Sequence, residues 1–212
     1  MSADRAMVPV GLGFRALKGG SVVVGVAADG EPRVVLSSFL ATAAEGDRLS
    51  LEPYHVAAEM ERGPQGGASA EAEAAVAEGR KRQDKLAAAG LKDIVRELRK
   101  EGGEPVVAAL LVNRAGWITD LLSYSLDWPD HPPVAEGLAV RHALRFAFGR
   151  CGIRVVEADE KTLHEVASKE LRLASSDIDI RLKALGATVG RPWRTEQKLA
   201  CLAAWVAVAA RQ

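Results

Sequence analysis

The stretch Arg191-Pro-Trp-Arg-Thr-Glu-Gln-Lys198 is the densest chemistry in the chain, placing three cations, a carboxylate and an indole within eight positions. Arg194 and Lys198 stand four apart, so on a helix they share a face while Glu196 points elsewhere. At a helix N-terminus this set could receive an anion, with Trp193 stacking on a base or ring. A plainer reading makes it an exposed first turn in which Trp193 anchors the loop to the core. Both readings stay open at this level.

A second group is Glu157, Asp159, Glu160, Lys161 and His164. It follows a short apolar run, so it belongs at the C-terminal edge of a strand, where open sheets tend to bind ligands. There His164 could act as acid, base or ligand, or be an ordinary half-exposed helix residue. Asn113 and Arg114 end another apolar run and could form a hydrogen-bonding pair for a ligand, or cap the strand exit. The remaining histidines offer less. His142 sits on an apolar helix face, His131 in a proline-rich loop and His55 in an isolated segment, and no two have metal-ligand spacing. The basic run Arg80-Lys81-Arg82 could touch phosphate, but Glu78 and Asp84 dilute it into a solvated helix face. Ser37, Ser38 and Cys201 have no evident base, so nucleophilic catalysis has no specific support.

Gly11-Leu-Gly13-Phe-Arg-Ala16 satisfies the loose dinucleotide fingerprint, but the fingerprint needs a helix after its turn to face the pyrophosphate. Here Lys18-Gly19-Gly20 and the valine-rich stretch Ser21 to Ala28 follow instead. Gly11 and Gly13 therefore read as places where a strand bends or a neighbour comes close.

The elements around these residues divide the chain clearly. Met7 to Ala16, Ser21 to Ala28 and Arg33 to Ala41 predict three antiparallel strands, with Lys18-Gly19-Gly20 and Asp29-Gly30 as their turns. A Gly/Pro/Gln loop near 62–70, expected to be flexible, leads into a helix up to Lys100, with Gly79 and Gly90 expected to interrupt it. Val106 to Val112 is continuously apolar, as in a strand buried on both faces. Trp117 to Pro133 reads as irregular. Val134 to Arg150 predicts a helix, Ile153 to Val156 a strand, and Thr162-x-x-Glu165 a capping box. A helix from Ser176 to Gly186 and another from Pro192 to Gln212 complete the order β-β-β-α-β-α-β-α-α. Such an order implies one α/β domain over 1–212, a mixed sheet flanked by helices.

The chain has 212 residues, 28 basic against 28 acidic, and 48% hydrophobic content. That balance excludes a global field for gathering polyanions, so any nucleic-acid surface must be local. No apolar run reaches the roughly 20 residues of a membrane helix, the N-terminus lacks a signal-peptide core, and Cys151 and Cys201 lack redox spacing. A cytoplasmic protein is expected.

From Val106 onward, the stretches PVVAALLVNRAG, EGLAVRHALRFAFGRCGIRVVEADEKTLHEVASKE and RTEQKLACLAAWVAVA resemble the RuvC-type Holliday junction resolvase branch of the ribonuclease H-like superfamily in order and length. The resemblance implies a ribonuclease H-like fold and, in members that cut nucleic acid, carboxylates holding two divalent metals about 3.5 to 4 Å apart. Carried onto this chain, the first-strand acid falls near Gly13 and the fourth-strand acid within Ala108 to Leu111, where no side chain has a ligand atom. In the last helix Glu196 stands for one acid and Leu199 for its partner. His164 falls where the resemblance places a basic residue near the active site.

The expectation is a catalytically degenerate relative, a pseudo-nuclease, that binds nucleic acid or a protein handling it. It needs no cofactor and no metal, avoids membranes and leaves room for homo-oligomerisation. The alternatives are a Mg- or Mn-dependent nuclease with relocated acids (Glu196 with some of Glu157, Asp159 and His164), or a nucleotide-binding or oligomeric protein using Asn113, Arg114 and Arg194. Trp193 and Lys198 complete the expected ligand-binding set.

Overall fold

The computed structural model describes residues 7–113 and 117–211. Five strands form one sheet in the order β3-β2-β1-β4-β5. They are β1 (Val8–Leu17), β2 (Gly20–Ala27), β3 (Arg33–Ala41), β4 (Gly103–Val112) and β5 (Val155–Asp159). The first three make an antiparallel meander, and β4 and β5 add in parallel to β1 and to each other. β2 is buried along its whole length, as its valines demand. The expected strand at Ile153 to Val156 lies further on, because Ile153 belongs to the turn after a helix and pairing with β4 begins at Val155.

Helices cover both faces. On one face α3 (Ala70–Lys100) and α5 (Pro132–Cys151) pack over Leu12, Phe14 and Leu110, with Phe148 of α5 in the same core. On the other, α6 (Leu163–Leu171), α7 (Ser175–Val189) and α8 (Thr195–Ala209) pack over Val24, Ala109 and Leu111. Phe14 and Phe148 meet edge to face at 4.8 Å in the first core. Three short helices, α1 (Arg48–Leu51), α2 (Pro53–Ala58) and α4 (Leu121–Asp127), close one end. They were not expected. The last lies within the stretch read as irregular, and Asp120 starts it by accepting hydrogen bonds from the Leu122 and Ser123 amides.

Three helix expectations are corrected. Ser69 caps α3, which then runs unbroken through Gly79 and Gly90. Gly79 is there for contact: a Cβ would press on the Leu49 carbonyl and Pro53. The Thr162 side chain makes no cap hydrogen bond, so the sequence pattern is not a working capping box. Gly186 lies inside α7, not at its end. It leaves the room that the Trp193 indole fills. By contrast Gly152 ends α5 as expected, at a φ of 65° that favours glycine. Among the described residues no helix is long and apolar enough to cross a membrane.

Candidate functional site

The site begins with the way α8 lies on β1. Residues 11, 13 and 15 of β1 share one face of the strand. A Cβ at Gly11 would overlap the carbonyl oxygen of Ala204, and one at Gly13 would overlap that of Ala200. Each two-residue step on the strand, about 6.8 Å, is matched by a four-residue step on the helix, about 6 Å. The next step brings Arg15 to Glu196, in the first turn of α8. Here the strand carries a side chain again, and it is a cation.

Arg15 is half-buried and held from two sides. Its Nε donates to Glu160 Oε1 at 3.1 Å and its Nη2 to Glu160 Oε2 at 3.4 Å, a two-pronged grip. Its Nη1 donates to Glu196 Oε1 at 3.5 Å. Glu160 lies just beyond β5, where its amide bonds the Val112 carbonyl at the end of β4. The ends of β1, β4 and β5 and the start of α8 thus converge on one guanidinium.

On the opposite face of the same edge, Arg141 from α5 donates to Asn113 Oδ1 at 2.8 Å. Arg141 is buried, its Nε has no hydrogen-bond partner, and burial pulls its pKa below the ordinary arginine value. Arg145, one turn on, bonds Glu157 at 2.7 Å. The edge is therefore a set of arginine–acid and arginine–amide pairs of nearly balanced charge.

The residues singled out from sequence scatter around this centre. Glu196 is in it. Asp159 lies beside it, but its Oδ1 accepts from the Lys161 amide at 2.9 Å, which shapes the turn after β5. His164 faces α7, where its Nε2 is 3.5 Å from Asp179 Oδ1. Asn113 holds Arg141. Arg114 lies outside the described residues. Trp193 packs on Gly186 and donates from Nε1 to the Leu182 carbonyl at 3.0 Å, so it pins the loop before α8. The helix-face pairing of Arg194 and Lys198 needs one adjustment: Arg194 precedes the first helical residue, and its amide donates to Gln197 Oε1 at 3.0 Å. Both cations are exposed and make no salt bridge among the described residues.

Arg15 escaped the sequence reading. The available signal was parity: it is the charged residue continuing the Gly11, Gly13 alternation. Away from this edge, His142 Nδ1 is 3.2 Å from Arg80, and His131 stacks on Tyr124 at 3.9 Å. His55 lies beside the buried Glu136, with 3.5 Å between Nδ1 and Oε1. Among the described residues, no three histidine, cysteine, aspartate or glutamate side chains are grouped to hold a metal ion.

The sheet order, its parallel and antiparallel senses and the helix laid across β1 define a ribonuclease H-like α/β fold of the RuvC type. Solved structures that match include RuvC from Thermus thermophilus, with a TM-score of 0.52 at 12% identity, covering 97% of this chain and 96% of that one. The T. thermophilus RuvC complex with Holliday junction substrate matches equally, covering 97% and 95%. No protein-family profile and no curated protein matches the chain.

Proposed function

We propose that this chain is a catalytically degenerate RuvC-like protein acting as a nucleic-acid-associated binding or structural module. The observation carrying this reading is Arg15, seated between Glu160 and Glu196. A divalent pair of the kind such folds use needs several anionic oxygens around it. The residues present do not fit that demand. The opening strand offers Gly13, with no room for a side chain. The two nearest carboxylates already share one guanidinium, which offsets half of their charge and stands where added cations would otherwise be drawn.

Nucleic acid as the partner is supported by the fold and by the T. thermophilus RuvC complex with a Holliday junction. Exposed Arg194 and Lys198 near the start of α8 supply cations for phosphate.

The test is fluorescence anisotropy with branched, single-stranded and duplex DNA and RNA, in EDTA and then in Mg²⁺ or Mn²⁺, with the products examined on denaturing gels. Binding without divalent ions and without cleavage is expected. Cleavage in Mn²⁺ that disappears in Glu196→Gln would overturn the degenerate reading and restore the nuclease alternative. Absence of binding to every probe at low salt would overturn the nucleic-acid reading altogether.

A further inference from the structure

On the α8 side of the sheet, Arg15 pairs with Val22 on β2, and Val22 pairs with Phe39 on β3. This row runs from the arginine–acid centre to an aromatic ring that is 51% exposed. The ring lies over Gly20, where a Cβ would stand 2.6 Å from Phe39 Cζ, so the strand beneath gives it a flat seat. The start of α8 forms the facing wall. Between them is a groove of about 630 Å³ bordered by Phe39, Ser37, Arg194, Glu196 and Gln197.

These groups suit one kind of occupant. An exposed aromatic face stacks on a base, whatever its identity. Arg194 is exposed, without a salt bridge among the described residues, and suits a phosphate oxygen. Gln197 uses its Oε1 on the Arg194 amide, which leaves its amide nitrogen to donate, and Ser37 adds a hydroxyl. Glu196 shares Arg15 with Glu160, so part of its charge is offset toward an approaching anion. The volume lies within the roughly 300–1,000 Å³ usual for ligand sites. Paired bases in a duplex present no open face to the ring, whereas bases of a single strand do.

We propose that this groove is a nucleobase subsite for an unpaired strand, the base stacking on Phe39 and its phosphate meeting Arg194. This rests on the nucleic-acid reading above and adds to it strandedness and two residues with different tasks. Stacking and phosphate contact differ in salt dependence: each phosphate contact on a single strand contributes about 0.7 to the slope of log affinity against log salt, and stacking contributes none.

The experiment is anisotropy of labelled oligothymidylate, its duplex and thymidine monophosphate in EDTA over a salt series. The intact chain is expected to prefer the single strand to the duplex, with the mononucleotide much weaker because it brings one base and one phosphate. Phe39→Ala should weaken oligothymidylate at least fivefold with the slope unchanged, since stacking is worth about 1–3 kcal/mol per base. Phe39→Tyr should restore it. Arg194→Gln should weaken binding and lower the slope by about 0.7. Phe39 and Arg194 are exposed, so neither variant threatens folding. If Phe39→Ala binds like the intact chain, the subsite is overturned while the nucleic-acid reading survives. If instead Phe39→Ala converts a dimer to a monomer in sedimentation without changing affinity, this face belongs to a second copy and the subsite is overturned. If the intact chain binds no nucleic acid, both readings fall together.

Discussion

The carbonyl oxygen of Ala200 occupies the space that a Cβ on Gly13 would need. The small residues of α8 let the helix backbone settle onto β1, and both Ala200 and Gly13 are buried in that contact. A carboxylate at the middle of β1 is thus incompatible with this packing, whatever happens elsewhere at the edge.

Gly13→Ala should destabilise the fold by about 3 kcal/mol, because overpacking here pushes backbone against backbone. Gly13→Asp should be worse, adding a buried charge. Gly137→Ala is the control, since nothing lies within 4 Å of its Cβ position in α5, and a helical Gly→Ala change gains about 0.5–1 kcal/mol. Urea midpoints of the three variants check the ordering.

Arg15→Ala should make the protein responsive to divalent cations. The substitution removes the cation shared by Glu160 and Glu196 and leaves two carboxylates facing one another across the vacated space. Thermal melts with and without Mn²⁺ are expected to coincide for the intact chain and to separate for the variant, because binding to the folded state raises its melting temperature. Coincident melts for the variant would mean that Glu160 and Glu196 cannot recruit a cation even when free.

Glu136→Gln should change how stability depends on pH. Glu136 is buried in α5, and its Oε1 accepts from the Tyr54 and His55 amides at 2.7 and 3.1 Å, while Oε2 has no partner. Burial pushes its carboxyl up to about 7, the two amides only partly opposing that. The folded pKa is thus raised above the ordinary value. The protonated form's contribution is complete below about 4.5 and is lost as pH rises toward 7. Gln keeps the acceptor without the charge. The variant should therefore match the intact chain in acid and exceed it at pH 8 by about 2–3 kcal/mol, measured as urea midpoints across pH.

Trp193→Ala should lower stability by about 3 kcal/mol through lost packing on Gly186 and a lost bond to the Leu182 carbonyl. Trp193→Phe should lose less, keeping most of the ring in place. Fluorescence of a variant keeping Trp193 as its sole tryptophan (Trp117, Trp128 and Trp205→Phe) offers a second check: because the indole is held against α7, nucleic acid should leave its emission unchanged, whereas a stacking role would quench it.

The fold was legible in the sequence to a large degree. β3 occupies Arg33 to Ala41 as its strand-forming residues and the Asp29-Gly30 turn signal imply, and the valines of β2 mark it as fully buried. A mixed sheet of a three-strand meander and two further strands followed from chain order, but the fold decided that β4 lies beside β1 and not β3. Local rules misjudged the glycines. Gly79 and Gly186 look like helix breakers, but their missing side chains are filled by Pro53 and Trp193, and only the fold brings those neighbours there.

The candidate site was legible only in fragments. Glu196 could be picked out, but its partner Arg15 lies 181 positions away and Glu160 lies 145 positions from that same arginine. Nothing in local spacing joins them. Trp193 advertised stacking chemistry and spends itself on α7, while Phe39, unremarkable in a strand-forming run, is left exposed beside the start of α8. The chain alone determined the five strands and the longer helices, because propensity and periodicity act over a few residues, whereas the short helices α1, α2 and α4 escaped it. Which charges meet, which aromatic faces solvent and where a glycine is indispensable were decided by the docking of α8 across β1, a contact between segments nearly two hundred residues apart.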